Sequence, residues 1–566
     1  MSEESKFKLA SRYWRTLRHL RISQIFGQLS LRFQKRWRDP ARVLNIGPTL
    51  LKIPPKPKLI ELQPPCPILD AKKIVNGQFT FINQAASLGR PVNWSADGMP
   101  RLWRYNLHYF DWMWSLLPEE GGDWRNARQL IQDWINHHPP SERAEGWEPY
   151  PTSLRLINWS ILVGLRYREE LLDDSEFQIT FLQSIEQQAR WLDKNLETHI
   201  QANHLLENLA ALTCVGSVFE VPACGLLGNR VALMLNHELT EQVLPDGMHY
   251  ERSPMYHLRV LWVVEMLSQL GNSQVSVLAE KSLRHMRQAL SHLRHPDGEI
   301  ALLNDASIGI YQDYWQSEPS SGSWSLPEAG YYGYRDKHRS YLIVDAGAVG
   351  PDFQPGHAHA DYLSFELSMH GHRMITDTGI GTYDPGARRS NDRSTAAHST
   401  VEIAGQNSAE VWGGFRVGRR VTPEVMEWSG DSDSESGMYL KVKHDGYKYL
   451  PCNAVHSRSF KWTDEGLEIQ DLIQATQKTK AVSRLHFSPE CELTVDSGEV
   501  RIALHGRQYR CLVEDDCEMS IERHPCCLEF GQDQDRSVLV MRHRVSIGET
   551  KWKVCIGPLL QAMVAE

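Results

Sequence analysis

The repeat of apolar residues changes part-way along this chain, and that change limits the folds open to it. Over roughly 101–294 apolar residues recur three and four apart, the spacing of amphipathic helices, and no alternating run intervenes. The spacing predicts helices over 102–117, 124–137, 154–171, 177–196, 204–219, 230–243, 256–270 and 275–293. Gly121-Gly122, Pro139-Pro140, Pro222 and Pro245-Asp246-Gly247 punctuate the connections. From about Glu299 the repeat becomes two, in SYLIVDAGAV, MYLKVKHDGY, SRSFKWTDEGLEIQDLI, EVRIALHG and RSVLVMRHRVSIG. Helices first and strands second predict an α+β multidomain chain: a helical domain over 91–320, then an antiparallel β domain over 321–566. A cleft is expected where the two meet.

Composition agrees. A chain of 566 residues exceeds one ordinary core, and 41% hydrophobic with 23% charged residues is globular usage. The net charge of −9 excludes nucleic acid as a partner over the whole surface. Ten Cys without CxxC spacing indicate neither a zinc knuckle nor a disulfide framework.

Residues 1–90 read as a basic amphipathic segment and a Pro-rich connector, IPPKPKLIELQPPCP. From Lys6 to Arg38 ten Lys and Arg interleave with Trp14, Leu17, Ile22, Ile25, Phe26, Leu29 and Phe33. Such a helix suits a peripheral membrane or partner contact. The favoured expectation is plainer: the apolar stripe packs on the protein's own body and the arginines are solvated. The segment lacks the apolar core of a signal peptide, so a cytoplasmic protein, or one exported by an unrecognised route, is expected.

The chemistry concentrates in PGHAHADYLSFELSMHGHRMITDTGIGTYDPGARRSNDRSTAAH, residues 355–398. Read as an extended strand, His357, His359 and Asp361 share a face that Leu363, Phe365 and Leu367 continue. A second strand carries Asp377, and His398 follows. Two imidazoles with Asp377 would make a three-ligand metal site and leave one imidazole free. Register matters: a two-residue turn at His370-Gly371 would pair Asp377 with Ser364 on the wrong face, whereas a three-residue turn would pair it with Leu363. Arg388, Arg389 and Arg393 in the intervening loop suit an anionic substrate.

The helical half holds four further polar clusters. They are Asn106, His108 and Tyr109; Trp147, Tyr150, Arg155 and Asn158; Asn203, His204, Glu207 and Asn208; and His249, Tyr250, Glu251, Arg252, Tyr256 and His257. Singly each reads as capping and packing. Together they resemble the lining of a sugar cleft, with Asn106, His108, Trp147, Tyr150, Arg155, Asn158, Glu207 and Arg252, alongside Arg389 and Arg393, as candidate substrate contacts.

NHLLEN, DGMHYERSPMYH and GHAHADYLSFEL, followed by Asp377 and His398, resemble the heparinase II/III-like polysaccharide lyases, from about Arg101 to the C-terminus. The resemblance implies an N-terminal (α/α) toroid, a C-terminal antiparallel β-sandwich and an anionic uronate polysaccharide, glycosaminoglycan-like or a bacterial exopolysaccharide. It implies β-elimination leaving a 4,5-unsaturated uronate end, no organic cofactor, and one structural divalent ion, zinc first. By motif, His359, Asp377 and His398 match the metal ligands. Asn203 and His204 match the carboxylate-neutralising positions, Tyr256 the catalytic tyrosine and His357 the catalytic histidine.

The chemistry needs those groups. A uronate carboxylate resists becoming a dianionic enolate until donors neutralise it, and Asn203 and His204, with Arg or a protonated Glu207, would do so. A base takes the C5 proton and an acid protonates the leaving oxygen. Tyr256 could serve as both if cations lower its pKa from about 10. His357 would be the base for the opposite C5 configuration. A metal-dependent hydrolase, a C5-epimerase and a non-catalytic uronate-polysaccharide binding or assembly protein stand as alternatives.

Overall fold

The computed structural model describes residues 3–37, 49–139, 144–220, 229–430 and 437–559, apart from 57, 59, 272, 316–318, 497–498 and 516. Two helices, α1 (Glu3–Leu17) and α2 (Ile22–Trp37), open the chain. A short α3 (Ala71–Val75) follows, with a hairpin of β1 (Gln78–Phe81) and β2 (Gln84–Ser87) that the reading of 1–90 as helix and connector does not contain. Alternation in β1 buries Phe79 against Trp112 and Phe81 against Trp103, which pins this region to the helical half.

Helices α4 (Arg101–Tyr109), α5 (Trp124–His137), α6 (Pro149–Ile161), α7 (Arg168–Asp173), α8 (Ser175–Lys194), α9 (Ala202–Val218), α10 (Asn229–Gln242), α11 (Pro254–Leu270) and α12 (Ser273–Leu293) make up that half. Two predicted helices break. The first ends at Phe110, whose φ is +62°, and passes into a 3-10 turn over Asp111–Leu116. The second widens into a π turn over Leu162–Arg166, where Gly164 lets the chain approach Val218; a Cβ there would lie 2.6 Å from Val218 Cγ1. Helix α6 is buried from Tyr150 to Ile161, and α9 and α11 nearly throughout, so these are interior helices. Helices α5, α8 and α12 expose one face.

The second half is antiparallel. Strands β3 (Gly322–Leu326), β4 (Tyr331–Arg335), β5 (Tyr341–Asp345), β6 (Phe365–Met369) and β7 (His372–Ile375) form a meander in chain order. After α13 (Ala387–Asp392) come β8 (Val401–Ile403) and the small pair β9 (Val411–Trp412) and β10 (Arg416–Val417). The remaining strands are β11 (Glu424–Ser429), β12 (Tyr439–Tyr447), β13 (Ala454–Thr463), β14 (Gly466–Ala475), β15 (Thr479–His486), β16 (Glu492–Asp496), β17 (Glu499–Leu504), β18 (Arg507–Glu514), β19 (Glu518–Cys526), β20 (Gln534–Val545) and β21 (Gly548–Pro558). They build an eight-stranded sheet, β11-β12-β13-β14-β21-β18-β17-β16, and a four-stranded sheet, β19-β20-β15-β8.

Two expectations are corrected here. The histidine-rich strand begins only at Phe365; residues 355–364 run as a loop, and Leu363, at φ +62°, breaks the alternation. The β6–β7 turn is the two-residue one, pairing Met369 with His372 and Ser368 with Arg373. Met374 then bulges, so that Ile375 faces Leu367. The bulge shifts the register by one residue in the opposite sense to a three-residue turn, and so restores the same facing by another route.

The N-terminal hairpin also docks in the opposite sense to that expected. Three of its arginines pair with the body: Arg15 Nε donates to Glu410 Oε2 at 2.7 Å, Arg12 Nε to Glu410 Oε1 at 3.2 Å and Arg21 Nη1 to Glu241 Oε2 at 2.9 Å. Trp14, Ile22 and Phe26 remain exposed. Glu241 belongs to the helical half and Glu410 to the strand half, so the hairpin spans both. Among the described residues no helix is long and apolar enough to cross a membrane.

Candidate active site and buried histidine cluster

Tyr256 lies in the first turn of α11, where Ser253 caps the helix by accepting from the Tyr256 amide at 3.2 Å and Pro254 fixes the opening turn. His357 arrives from the loop of the strand half. The two rings stack with centroids 3.9 Å apart and planes 27° from parallel. The Tyr256 hydroxyl is 3.1 Å from that of Tyr383, whose ring in turn lies 5.1 Å below the Arg389 guanidinium. Burial, with the Tyr383 hydroxyl beside it, pushes the Tyr256 phenol well above its usual value of 10. Lowering by cations, as anticipated, does not occur.

Both imidazole nitrogens of His357 meet carboxylates. Nδ1 is 2.9 Å from Asp305 Oδ2 and Nε2 is 3.2 Å from Glu251 Oε2. The second Glu251 oxygen accepts from the main-chain N–H of Asn203 at 3.2 Å, which connects the start of α9 to His357. His204 Nδ1 lies 3.1 Å from Glu197 Oε1, and its ring sits 4.2 Å from that of Tyr150. Burial alone would lower the His204 pKa, but Glu197, with Glu251 and Glu207 nearby, outweighs it and holds the imidazole above its ordinary value. Glu197 thus favours the protonated form of the imidazole beside Asn203.

Asp305 joins this site to a second one. Its Oδ1 is 2.9 Å from His359 Nε2, and both its oxygens accept from Arg389, Oδ2 from Nη2 at 2.7 Å. Burial raises the Asp305 pKa, yet Arg389, His357 and His359 reverse the effect and hold the carboxyl well below its usual range. Beyond it, His359, Asp377 and His398 are buried with one ligand atom from each within 4.8 Å of the others. His398 Nδ1 lies 2.8 Å from Asp377 Oδ2, while His359 Nδ1 and His398 Nε2 have no hydrogen-bond partner. Burial lowers the His359 pKa to about 4, so the ring is neutral, the form a metal ligand requires.

Positive φ angles gather around these groups: Gln201 (+65°), Ala202 (+54°), Arg252 (+59°), Asn304 (+59°) and Leu363 (+62°). Each is within two residues of Asn203, Glu251, Asp305 or Asp361. Strain of this kind persists only where surrounding contacts over-determine the backbone.

Several proposed substrate contacts lie elsewhere. His108, Trp147, Arg155 and Asn158 are buried among the helices and paired there. Arg155 Nε donates to Gln188 Oε1 at 2.7 Å and the guanidinium lies 4.1 Å over Trp134. His108 Nδ1 accepts from Trp134 Nε1, Asn158 Nδ2 donates to the Tyr109 carbonyl and Trp147 Nε1 to the His138 carbonyl. Asn106 Nδ2 donates to Leu102 O of its own helix. Glu207 is locked by Arg259 at 2.6 Å and by the Tyr150 hydroxyl at 2.8 Å, so it is no free acid. Arg252 holds the carbonyls of Ala348 and Glu328. Arg389 is spent on Asp305, and Arg393 on the carbonyls of Ala358 and Gly414. Conversely, Asp305, Tyr383 and Glu197 were not foreseen, and Glu251 stood in a cluster without a role. Asp305 had one signal, a lone polar pair, Asn304-Asp305, ending an apolar run at the switch from helix to strand.

Comparison with known proteins gives two matches by family: heparinase II/III N-terminus over residues 70–317, and heparinase II/III-like, C-terminal, over 318–554. The chain belongs to the heparinase II/III family. The heparin-sulfate lyase of Pedobacter heparinus is 25% identical over 379 residues, 56% of this chain and 55% of that protein. The chain thus spans about half the length of the curated relative it matches. Among solved structures, a heparinase III superposes with a TM-score of 0.66 at 16% identity, covering 84% of this chain and 81% of that one. A mutant of the heparan sulfate lyase HepC from Pedobacter heparinus gives 0.61 at 19%, covering 87% and 83%. The family fold is shared across both halves.

Arg389 offers a direct check on the placement of its charge. Arg389→Ala would strand the buried Asp305 carboxylate, a loss of about 3–5 kcal/mol. The expected outcome is a markedly lower unfolding midpoint in denaturant titration. A variant with unchanged stability and only a raised KM would show that Arg389 holds substrate instead.

Proposed function

We propose that this heparinase II/III family member is a polysaccharide lyase that cleaves a uronic-acid-containing polysaccharide, glycosaminoglycan-like in its charge, by β-elimination. The observation that carries the reading is the Tyr256–His357 stack across the junction, with the Asn203–His204 corner joined to it through Glu251. The names of the relatives, heparin-sulfate lyase and heparan sulfate lyase, support the substrate class.

The residues divide the work by environment. His204, whose protonated form Glu197 favours, and Asn203 neutralise the uronate carboxylate, so that negative charge can spread into it as the C5 proton leaves. Tyr256, kept protonated by burial, gives its proton to the glycosidic oxygen. The electrons of the C5–H bond become the C4=C5 double bond as the C4–O bond breaks. Tyr383, 3.1 Å away, is placed to pass a proton back to Tyr256. His357 turns Nδ1 toward Asp305, which leaves Nε2 to take the C5 proton once substrate displaces Glu251.

His359, Asp377 and His398 fit a divalent ion, zinc first: two buried imidazole nitrogens there lack partners, and Asp305 orients the His359 ring as an outer-shell carboxylate does. When bound, such an ion would cross-link the chain segments beneath His357. The ligands are wholly buried, so the reading is structural and not that of a hydrolase with an open coordination position.

Tyr256→Phe should cut elimination by about 10²–10⁴-fold on every uronate polymer in a panel of heparan, chondroitin, hyaluronan and alginate, read by ultraviolet absorbance of the unsaturated end. Near-full activity in that variant would overturn the assignment. No absorbance, but inversion at C5, would identify an epimerase.

A pH profile tests His204. Its pKa is raised and its protonated form does the work, so kcat/KM should hold on the acid side and fall as pH rises through that pKa. Glu197→Gln removes the partner that raises it, and the alkaline limb should move to lower pH. A limb that stays in place would assign it to another group.

Elemental analysis of protein dialysed against metal-free buffer should find one zinc or similar ion per chain, absent in Asp377→Ala. Chelation should lower the thermal midpoint of the parent. Metal-free parent protein of unchanged stability would remove the ion from the proposal.

A further inference from the structure

In hairpin α1–α2, Arg12, Arg15 and Arg21 reach carboxylates of the body while Arg18 and a run of apolar side chains face solvent. On α2 the residues Ile22, Ile25, Phe26 and Leu29 recur at i, i+3, i+4 and i+7, one continuous stripe. They are 73, 46, 67 and 55% exposed. Trp14 and Leu17, 69 and 51% exposed, bring the same surface up to the turn from α1. Contiguous apolar surface on this scale marks an interaction site. Its docking is specific: Gln201 Nε2 donates to Ser23 Oγ at 2.9 Å, Trp412 Nε1 to Thr16 Oγ1 at 3.1 Å, and Gln24 Nε2 to the Phe353 carbonyl at 3.1 Å. The exposed stripe is therefore presented by a seated element.

Charge selects the occupant. Between Lys6 and Arg38 the sequence has ten Lys and Arg and no Asp or Glu. Basic residues flanking Trp, Phe, Leu and Ile are the pattern of a helix lying in a bilayer interface, hydrocarbon at the acyl boundary and cations among anionic headgroups. A second copy of the chain would bring two cationic segments face to face. A hydrated acidic polymer offers nothing for Ile22 or Leu29 to enter.

We infer that α1–α2 is an interfacial anchor that seats this protein on an anionic lipid surface. Gln201 lies two residues before Asn203, and Trp412 three before Phe415, whose ring centroid is 6.4 Å from that of His357, so the anchor grips both halves close to the site. Docking would hold that site at the bilayer surface, facing polymer that lies there.

The test is flotation of the purified full chain with vesicles of equal phosphatidylglycerol and phosphatidylcholine, and with phosphatidylcholine alone. The parent should float with the anionic vesicles and not with the neutral ones. The double variant Ile22→Glu, Phe26→Glu should lose at least tenfold in partition while its circular dichroism and thermal midpoint match the parent. Parent protein that stays unbound, or a variant that binds equally, overturns the inference. Capture by soluble dextran sulfate without vesicle binding would reassign the surface to a polyanion. A dimer in light scattering that the substitutions dissolve, again without vesicle binding, would reassign it to a second copy.

Discussion

The Asp305 carboxylate is the point on which the junction of the two halves depends. It is fully buried, and four donor atoms meet its two oxygens, from His357, His359 and twice from Arg389. An isolated carboxylate at that depth would be costly, and the bidentate guanidinium offsets the loss of water. The partners come from separate segments: the loop before β6 and the helix α13. One charge therefore gathers pieces of chain that no strand ladder holds together. The imidazole beside Tyr256 and an imidazole of the histidine cluster share that single carboxylate, so orientation in one is coupled to orientation in the other.

Environment divides labour among groups of similar intrinsic chemistry. His204 and His359 are both largely surrounded by protein, yet Glu197 raises the pKa of one and burial lowers that of the other. Asp305 is kept ionised by its donors, whereas burial raises the carboxyl of Glu251 above its usual range despite His357 nearby. Neighbouring titratable groups pushed in opposite directions mark a site prepared for proton transfer.

Much of the architecture was legible because periodicity is local. Helix α5 coincides with its predicted range, and the strand runs after Glu299 all form ladders. The site was less legible, because a side chain's partner is a property of the fold. Arg155 and Asn158 look like substrate residues in a sequence, but an interior helix can carry polar groups whenever other interior groups satisfy them. Asp305 and Tyr383 acquire meaning only from partners 52 and 127 residues away. The approach of Asp377 to His359 was anticipated for an incomplete reason: the strand reading missed the left-handed Leu363, and the turn argument missed the bulge at Met374.

The N-terminal hairpin reaches across a seam. Helix α1 grips Glu410 in the strand half, and the start of α2 is tied through Arg21 to Glu241 in the helical half. The two pairs therefore tie one helical hairpin to both halves. Both pairs are partly exposed, where dissolved ions screen charge over about 8 Å at physiological salt. Ionic strength thereby becomes a setting for how firmly the hairpin holds the seam. The clasp that sets it lies in residues 3–37, outside the 70–554 that the two family domains account for.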